Sequence, residues 1–206
     1  MLKLKMLALA LALMATQAGA AVFIPQPSVS VQAGNASAAA GGTAVVDIDF
    51  MFSDGYPLLS LDLNVGFDAL KLGWDRAAST VTILGSTQSL DALLTALGSN
   101  PGPLDPSVVV NDAVPGLLSF SASVPAAPAL TGLLSLHAAF QLLPALGQGQ
   151  SSGLTVSGMV VEDSLGAETA FALTPSVSAV PEPAGVWLMV CGLAGIGAFL
   201  RRRSAA

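Results

Sequence analysis

The 206-residue chain holds one histidine and one cysteine, so imidazole and thiol chemistry each have a single place to occur. His137 lies in the run Leu134-Ser135-Leu136-His137-Ala138-Ala139-Phe140. Leu134, Leu136 and Phe140 fall on one side of an alternating pattern, which turns His137 toward solvent together with Ser135. No residue at triad or metal-ligand spacing accompanies it, and the expectation is a structural side chain. Cys191 sits inside an apolar stretch, 184–200, where a free thiol packs as a small inert hydrophobe. The rest of the chain therefore has neither thiol catalysis nor a disulfide.

The carboxylates offer more. Asp47 and Asp49 share one face of an alternating run, and Asp62, Asn64 and Asp68 share a face of another. Either set could gather oxygens around Ca2+, which takes about six to eight, but a solvated acidic face is the simpler reading. No metal and no cofactor are expected. No carboxylate spacing singles out a glycosidase pair, and no Gly-rich phosphate loop joins a strand to a helix. The expectation is a non-enzyme.

One carboxylate has a distinctive setting. Glu182 stands between Pro181 and Pro183, immediately before seventeen uncharged residues, 184–200, which end at Arg201-Arg202-Arg203. Two prolines hold the backbone extended and keep helix from forming around Glu182. The stretch 184–200 is at the lower limit of the roughly 17–25 residues a bilayer helix needs, and the arginines fix its far end in the cytoplasm. Pro-Glu-Pro, a short apolar helix rich in Leu, Gly and Ala, and a terminal Arg cluster together resemble the PEP-CTERM sorting domain of Gram-negative bacteria. That resemblance implies processing by an exosortase, a membrane-embedded transpeptidase, and delivery to the cell surface or to an extracellular, biofilm-type matrix.

The other end carries an export signal. Lys3 and Lys5 make a basic start, residues 6–14 an apolar core too short to span a bilayer, and Ala18-Gly19-Ala20 an A-x-A cleavage site ahead of Ala21. Between the two ends, residues 21–180 contain two basic residues against twelve acids, a formal −10. Phosphate contacts are made with Lys and Arg, so nucleic acid is excluded as a partner.

From residue 29 to 173 apolar and polar residues alternate in runs bounded by Gly, Pro, Ser, Asp and Asn, the pattern of half-buried antiparallel strands. Strands are expected near 27–31, 43–52, 59–67, 108–110, 116–124, 132–143, 153–161 and 167–173, with Asp54-Gly55 turning the chain after the second. Leu59, Leu61, Leu63, Val65 and Phe67 give the clearest alternation. One segment has helical period instead: Leu90, Leu93, Leu94 and Leu97, with Ser89 as N-cap, Asp91 in the first turn and Gly98 past the end.

The runs Gly42-Thr43-Ala44-Val45-Val46-Asp47-Ile48, residues 61–72, residues 132–140 and residues 154–171 resemble a cohesin-like domain, a jelly-roll β-sandwich related to some carbohydrate-binding modules. The resemblance implies a fold and two kinds of ligand. In cohesins one sheet face, including an Asp on the strand matching 61–67, binds a dockerin on a partner protein. Asp62 takes that position here, with Asn64 beside it. Related sandwiches bind polysaccharide on flat aromatics, whereas here Phe67 falls on the apolar side, Tyr56 stands in a turn, and Trp74 is the only other large candidate for such a platform.

The expected organisation is a signal peptide at 1–20, an all-β cohesin-like jelly-roll sandwich with one short helix at 21–174, a linker with the Pro-Glu-Pro motif at 175–183, a transmembrane helix at 184–200 and a basic tail at 201–206. The expected role is adhesion or protein–protein assembly outside the cell. Retention of exopolysaccharide and reception of a dockerin are the alternatives.

Overall fold

The computed structural model describes residues 28–83, 85–98, 107–123, 129–162 and 167–181. Its organising element is β3 (Thr43–Phe67), which spans both layers of a sandwich. Its first half pairs antiparallel with β1 (Val29–Ala33) and β9 (Ala129–Leu142), and its second half with β8 (Leu117–Ser123) and β10 (Ser151–Glu162). Asp54-Gly55 therefore does not close a hairpin. The pairing register slips between Phe52 and Tyr56, Gly55 takes φ 75° with its N–H on Thr131 Oγ1, and the strand passes from one sheet into the other.

The first sheet runs β1, β3, β9, β5 (Thr80–Ile83) and β6 (Ser86–Ser89), with β4 (Leu72–Trp74) on the far end of β9. The second runs β11 (Ala167–Leu173), β10, β3, β8 and β7 (Ser107–Asn111). A parallel pair, β2 (Ala36–Ala39) and β12 (Ser176–Val180), attaches through β12 to the start of β10. Helix α1 (Leu90–Gly98) follows β6 and packs on β7. Ser89 Oγ accepts from the Ala92 N–H, the N-cap bond its sequence predicts, while Gly98 is the helix's last residue and not the one beyond it.

Period-two alternation places the core. Val46, Ile48 and Phe50 from the first half of β3, Leu63 and Val65 from its second half, and Phe140, Leu118 and Val156 meet between the layers, each at most 2% exposed. Each such side chain contributes about 1.5–3 kcal/mol through its removal from water. Phe50 meets Phe171 edge-on at 5.6 Å, and Phe67 meets Phe140 at 5.2 Å. With no disulfide in the sandwich, these contacts hold the layers together.

The sandwich extends further than its expected end at 174. Val177 and Ala179 of β12 are buried, and Ser176 N–H and Oγ–H both donate to Asn35 Oδ1. The segment expected as linker is thus largely strand, up to Val180, and Pro181 follows directly, exposed. The remaining expectations at the two ends lie outside the described residues: Ala18, Ala20, Ala21, Glu182, Pro183, Arg201, Arg202, Arg203 and the span 184–200. Among the described residues no helix is long and apolar enough to cross a membrane.

Candidate partner face and the polar row opposite

Asp62 and Asn64 project from β3 on the outer side of the second sheet, because Leu61, Leu63 and Val65 take the inner side. The register gives Asp62 two cross-strand neighbours, Met159 on β10 and Ser121 on β8, and beyond Ser121 lies Val109 on β7. Asn64 is flanked by Ser157 and Ser119, and its Oδ1 accepts from Ser119 Oγ at 2.7 Å. Ala170 and Ala172 of β11 continue both rows. The face is broad and built mostly from small side chains, with the Asp62 carboxylate near its centre beside Met159, and Val109, 62% exposed, toward one edge. Such a surface lets another backbone approach closely and offers it a central carboxylate, with Glu168 of β11 on the same side one row away. Asp68, expected on this face, instead belongs to the turn after β3, where it caps the Leu70 N–H and pairs with Lys71 at 3.3 Å.

The first sheet's outer side carries a different arrangement. Asp47 on β3 lies directly opposite His137 on β9. His137 Nδ1 is 2.6 Å from Asp47 Oδ1, its Nε2 is 2.9 Å from Thr82 Oγ1, and Thr82 is 2.7 Å from Thr87 Oγ1. A proton on Nδ1 satisfies the whole row, with Thr87 donating to Thr82, Thr82 to Nε2, and Nδ1–H to Asp47. Beside it Ser135 Oγ donates to Asp49 at 2.5 Å. His137 therefore has the partners that its sequence neighbourhood lacks. Asp47 lies 90 positions away and Thr82 55, and only the β3–β9 and β5–β9 registers bring them to His137.

The order carboxylate, imidazole, hydroxyl is that of a nucleophilic triad, yet the surroundings do not complete one. Thr82 sits in mid-strand with β6 on one side and β9 on the other, so the neighbouring backbone N–H groups serve the sheet and none is left to hold an oxyanion. The row acts as a cross-strand clasp. Asp47 and Asp49 face away from Asp62 and Asn64, on opposite sides of the sandwich, so the two acidic sets do not combine. Among the described residues no three His, Cys, Asp or Glu side chains group closely enough to hold a metal ion.

The aromatics differ from their sequence reading. Tyr56 is 1% exposed and packs on Phe52 at 5.2 Å, so it is core and not an open turn. Burial raises its phenol pKa, the Glu162 carboxylate adds to the rise, and the Thr169 side chain offsets part of it while falling short of hydrogen-bond geometry. A phenol with a raised folded pKa adds stability that is complete below the unfolded value of about 10 and is lost as pH climbs through the folded value. Tyr56 is the chain's one tyrosine, so alkaline titration followed by phenolate absorbance reads it alone. The expected result is ionisation displaced above the free phenol and coincident with unfolding. A reversible transition near pH 10 in folded protein would contradict its burial.

Trp74 is half-buried, edge-on to Phe120 at 6.3 Å, and its Nε1–H donates to Ser79 Oγ. It borders a shallow cleft of about 240 Å3 with Phe67, Asp112 and Leu117.

Solved structures share this arrangement of strands. The seventh ScaB type I cohesin from Pseudobacteroides cellulosolvens superimposes with a TM-score of 0.51 at 17% identity, covering 75% of this chain and 94% of that one. The fold is cohesin-like. The sixth cohesin of scaffoldin B from Acetivibrio cellulolyticus, solved in complex with a Cel5 dockerin mutant, gives 0.51 at 13% identity over 73% of this chain and 98% of its own. ACE19, the collagen-binding subdomain of the Enterococcus faecalis surface protein ACE, gives 0.52 at 7% identity over 72% and 95%. No family model matches the cohesin-like chain, and no curated protein sequence does.

Proposed function

We propose that the chain is a non-catalytic assembly module, exported and sorted by an exosortase to the surface or extracellular matrix of a Gram-negative bacterium, where the outer face of its second sheet docks a partner protein. The observation that carries this reading is the Asp62 face: five paired strands, mostly small side chains broken by Met159 and Val109, and a central carboxylate with no cation beside it among its cross-strand neighbours. The cohesin-like fold supports it, since similar sandwiches are solved with dockerins or described as collagen-binding. A partner with a basic side chain at the centre of its docking surface fits best.

The test is recovery of extracellular proteins on immobilised chain. Asp62→Ala is expected to weaken retention of the principal partner about tenfold, the scale of one charge-assisted contact at an interface, and Asp62→Arg to abolish it. Equal retention by all three proteins would remove the proposal. A second reading, exopolysaccharide binding, rests on the cleft beside Trp74, where the Trp74 and Phe67 rings and the Asp112 carboxylate lie together. Capture of glycan that Trp74→Ala abolishes and Asp62→Arg leaves intact would favour that reading instead.

A further inference from the structure

Between the two sheets, at the end where α1 lies, the core does not close. A cavity of about 300 Å3 remains, and every described side chain lining it is apolar. Its inner wall is made by buried residues, among them Phe50, Leu63, Phe120 and Leu136, and its mouth by half-buried ones, Ile83, Leu93, Val108, Ala122, Leu130 and Leu134. A void of this kind forfeits contacts on all its walls, and packed interiors do not ordinarily tolerate one. Water is a poor occupant because it needs two to four polar partners and finds none here.

We infer that this cavity is a binding site for one uncharged hydrocarbon chain. The lining excludes any polar group along the buried length. Size narrows the class further: a dry cavity of about 150 Å3 with Leu, Ile and Phe walls takes benzene, so twice that volume suits a chain of roughly ten carbons. Charge decides the head group. Lys71 and Arg76 are the basic residues of the described segments, and each is already engaged, with Asp68 at 3.3 Å and Asp91 at 2.6 Å. Among the described residues no free cation waits at the mouth for a carboxylate, and the acidic surface repels one. The occupant is a fatty alcohol or the chain of a neutral lipid, not a free fatty acid. The site is independent of the Asp62 face, which lies on the outside of the second sheet.

Thermal unfolding of the full chain with 1-decanol tests this. Near-saturating decanol is expected to raise the Tm by about 5 °C, and sodium decanoate by clearly less. Ala122→Phe, which fills the mouth, should remove the decanol shift while keeping or raising the unliganded Tm. Leu134→Ala, which enlarges the cavity, should move the largest shift to a longer alcohol, so the result does not depend on one variant folding. No shift with decanol would overturn the inference, as would an equal shift in Ala122→Phe, because the alcohol would then be held elsewhere on the chain.

Discussion

Alanine at position 158 is expected to destabilise the sandwich by about 3 kcal/mol, the upper part of the range for overpacking a closed core. Gly158 lies on β10 opposite Leu63 of β3 and Phe171 of β11, facing inward. A β-carbon there would run into the Asp62 carbonyl oxygen and come within 2.7 Å of Phe171 Cζ. The ring could swing away, but the carbonyl belongs to the neighbouring strand and cannot move without breaking the ladder between the central strands of the second sheet. Gly153 supplies the control on the same strand: a β-carbon there meets nothing within 4 Å, and Gly153→Ala should stay within about 0.5 kcal/mol of the parent. Urea unfolding with a constant m-value separates the two cases. A Gly158→Ala midpoint matching that of Gly153→Ala would mean that β10 and β3 do not pair in this register.

Glu182→Ala is expected to stop processing altogether. The proposal that an exosortase recognises Pro181-Glu182-Pro183 makes the carboxylate the one charged group between the sandwich and the apolar span, so alanine leaves nothing ionic to grip. Full-length chain should then accumulate in the inner-membrane fraction, with no shortened form outside. Anti-sandwich immunoblots of membrane and extracellular fractions report both. Release of shortened chain at the parental level would defeat the sorting proposal while leaving the Asp62 face untouched.

Much of the sandwich was legible because half-buried strands state their faces. Leu61, Leu63 and Val65 alternate with Asp62 and Asn64, and burial follows that alternation. The helix was equally readable, because Ser89 and the leucine spacing are local signals. What escaped depends on pairing between distant segments. Asp47 and His137 each read as outward and polar, yet nothing in either run says they are opposite one another. The segment 176–180 read as linker because Pro175 and Pro181 bracket it, and five residues are too few for alternation to outweigh prolines. Asp54-Gly55 read as a hairpin turn because turn residues fix a local bend and not the sheet that receives the next strand. The cavity had no sequence signal at all, since leucines that line a void and leucines that fill one look alike.

The last strand bears on how the protein withstands being pulled. β12 runs parallel to β2 and antiparallel to β10, and Pro181 follows it directly. A load directed along β12 would act across the hydrogen bonds to both neighbours at once and shear them together, where a strand peeled from its end would unzip one bond at a time. With Val177 and Ala179 seated in the core, this last described strand is also locked by its side chains. A module held by its C-terminus while a partner tugs on its flank would load these two ladders in parallel rather than in sequence.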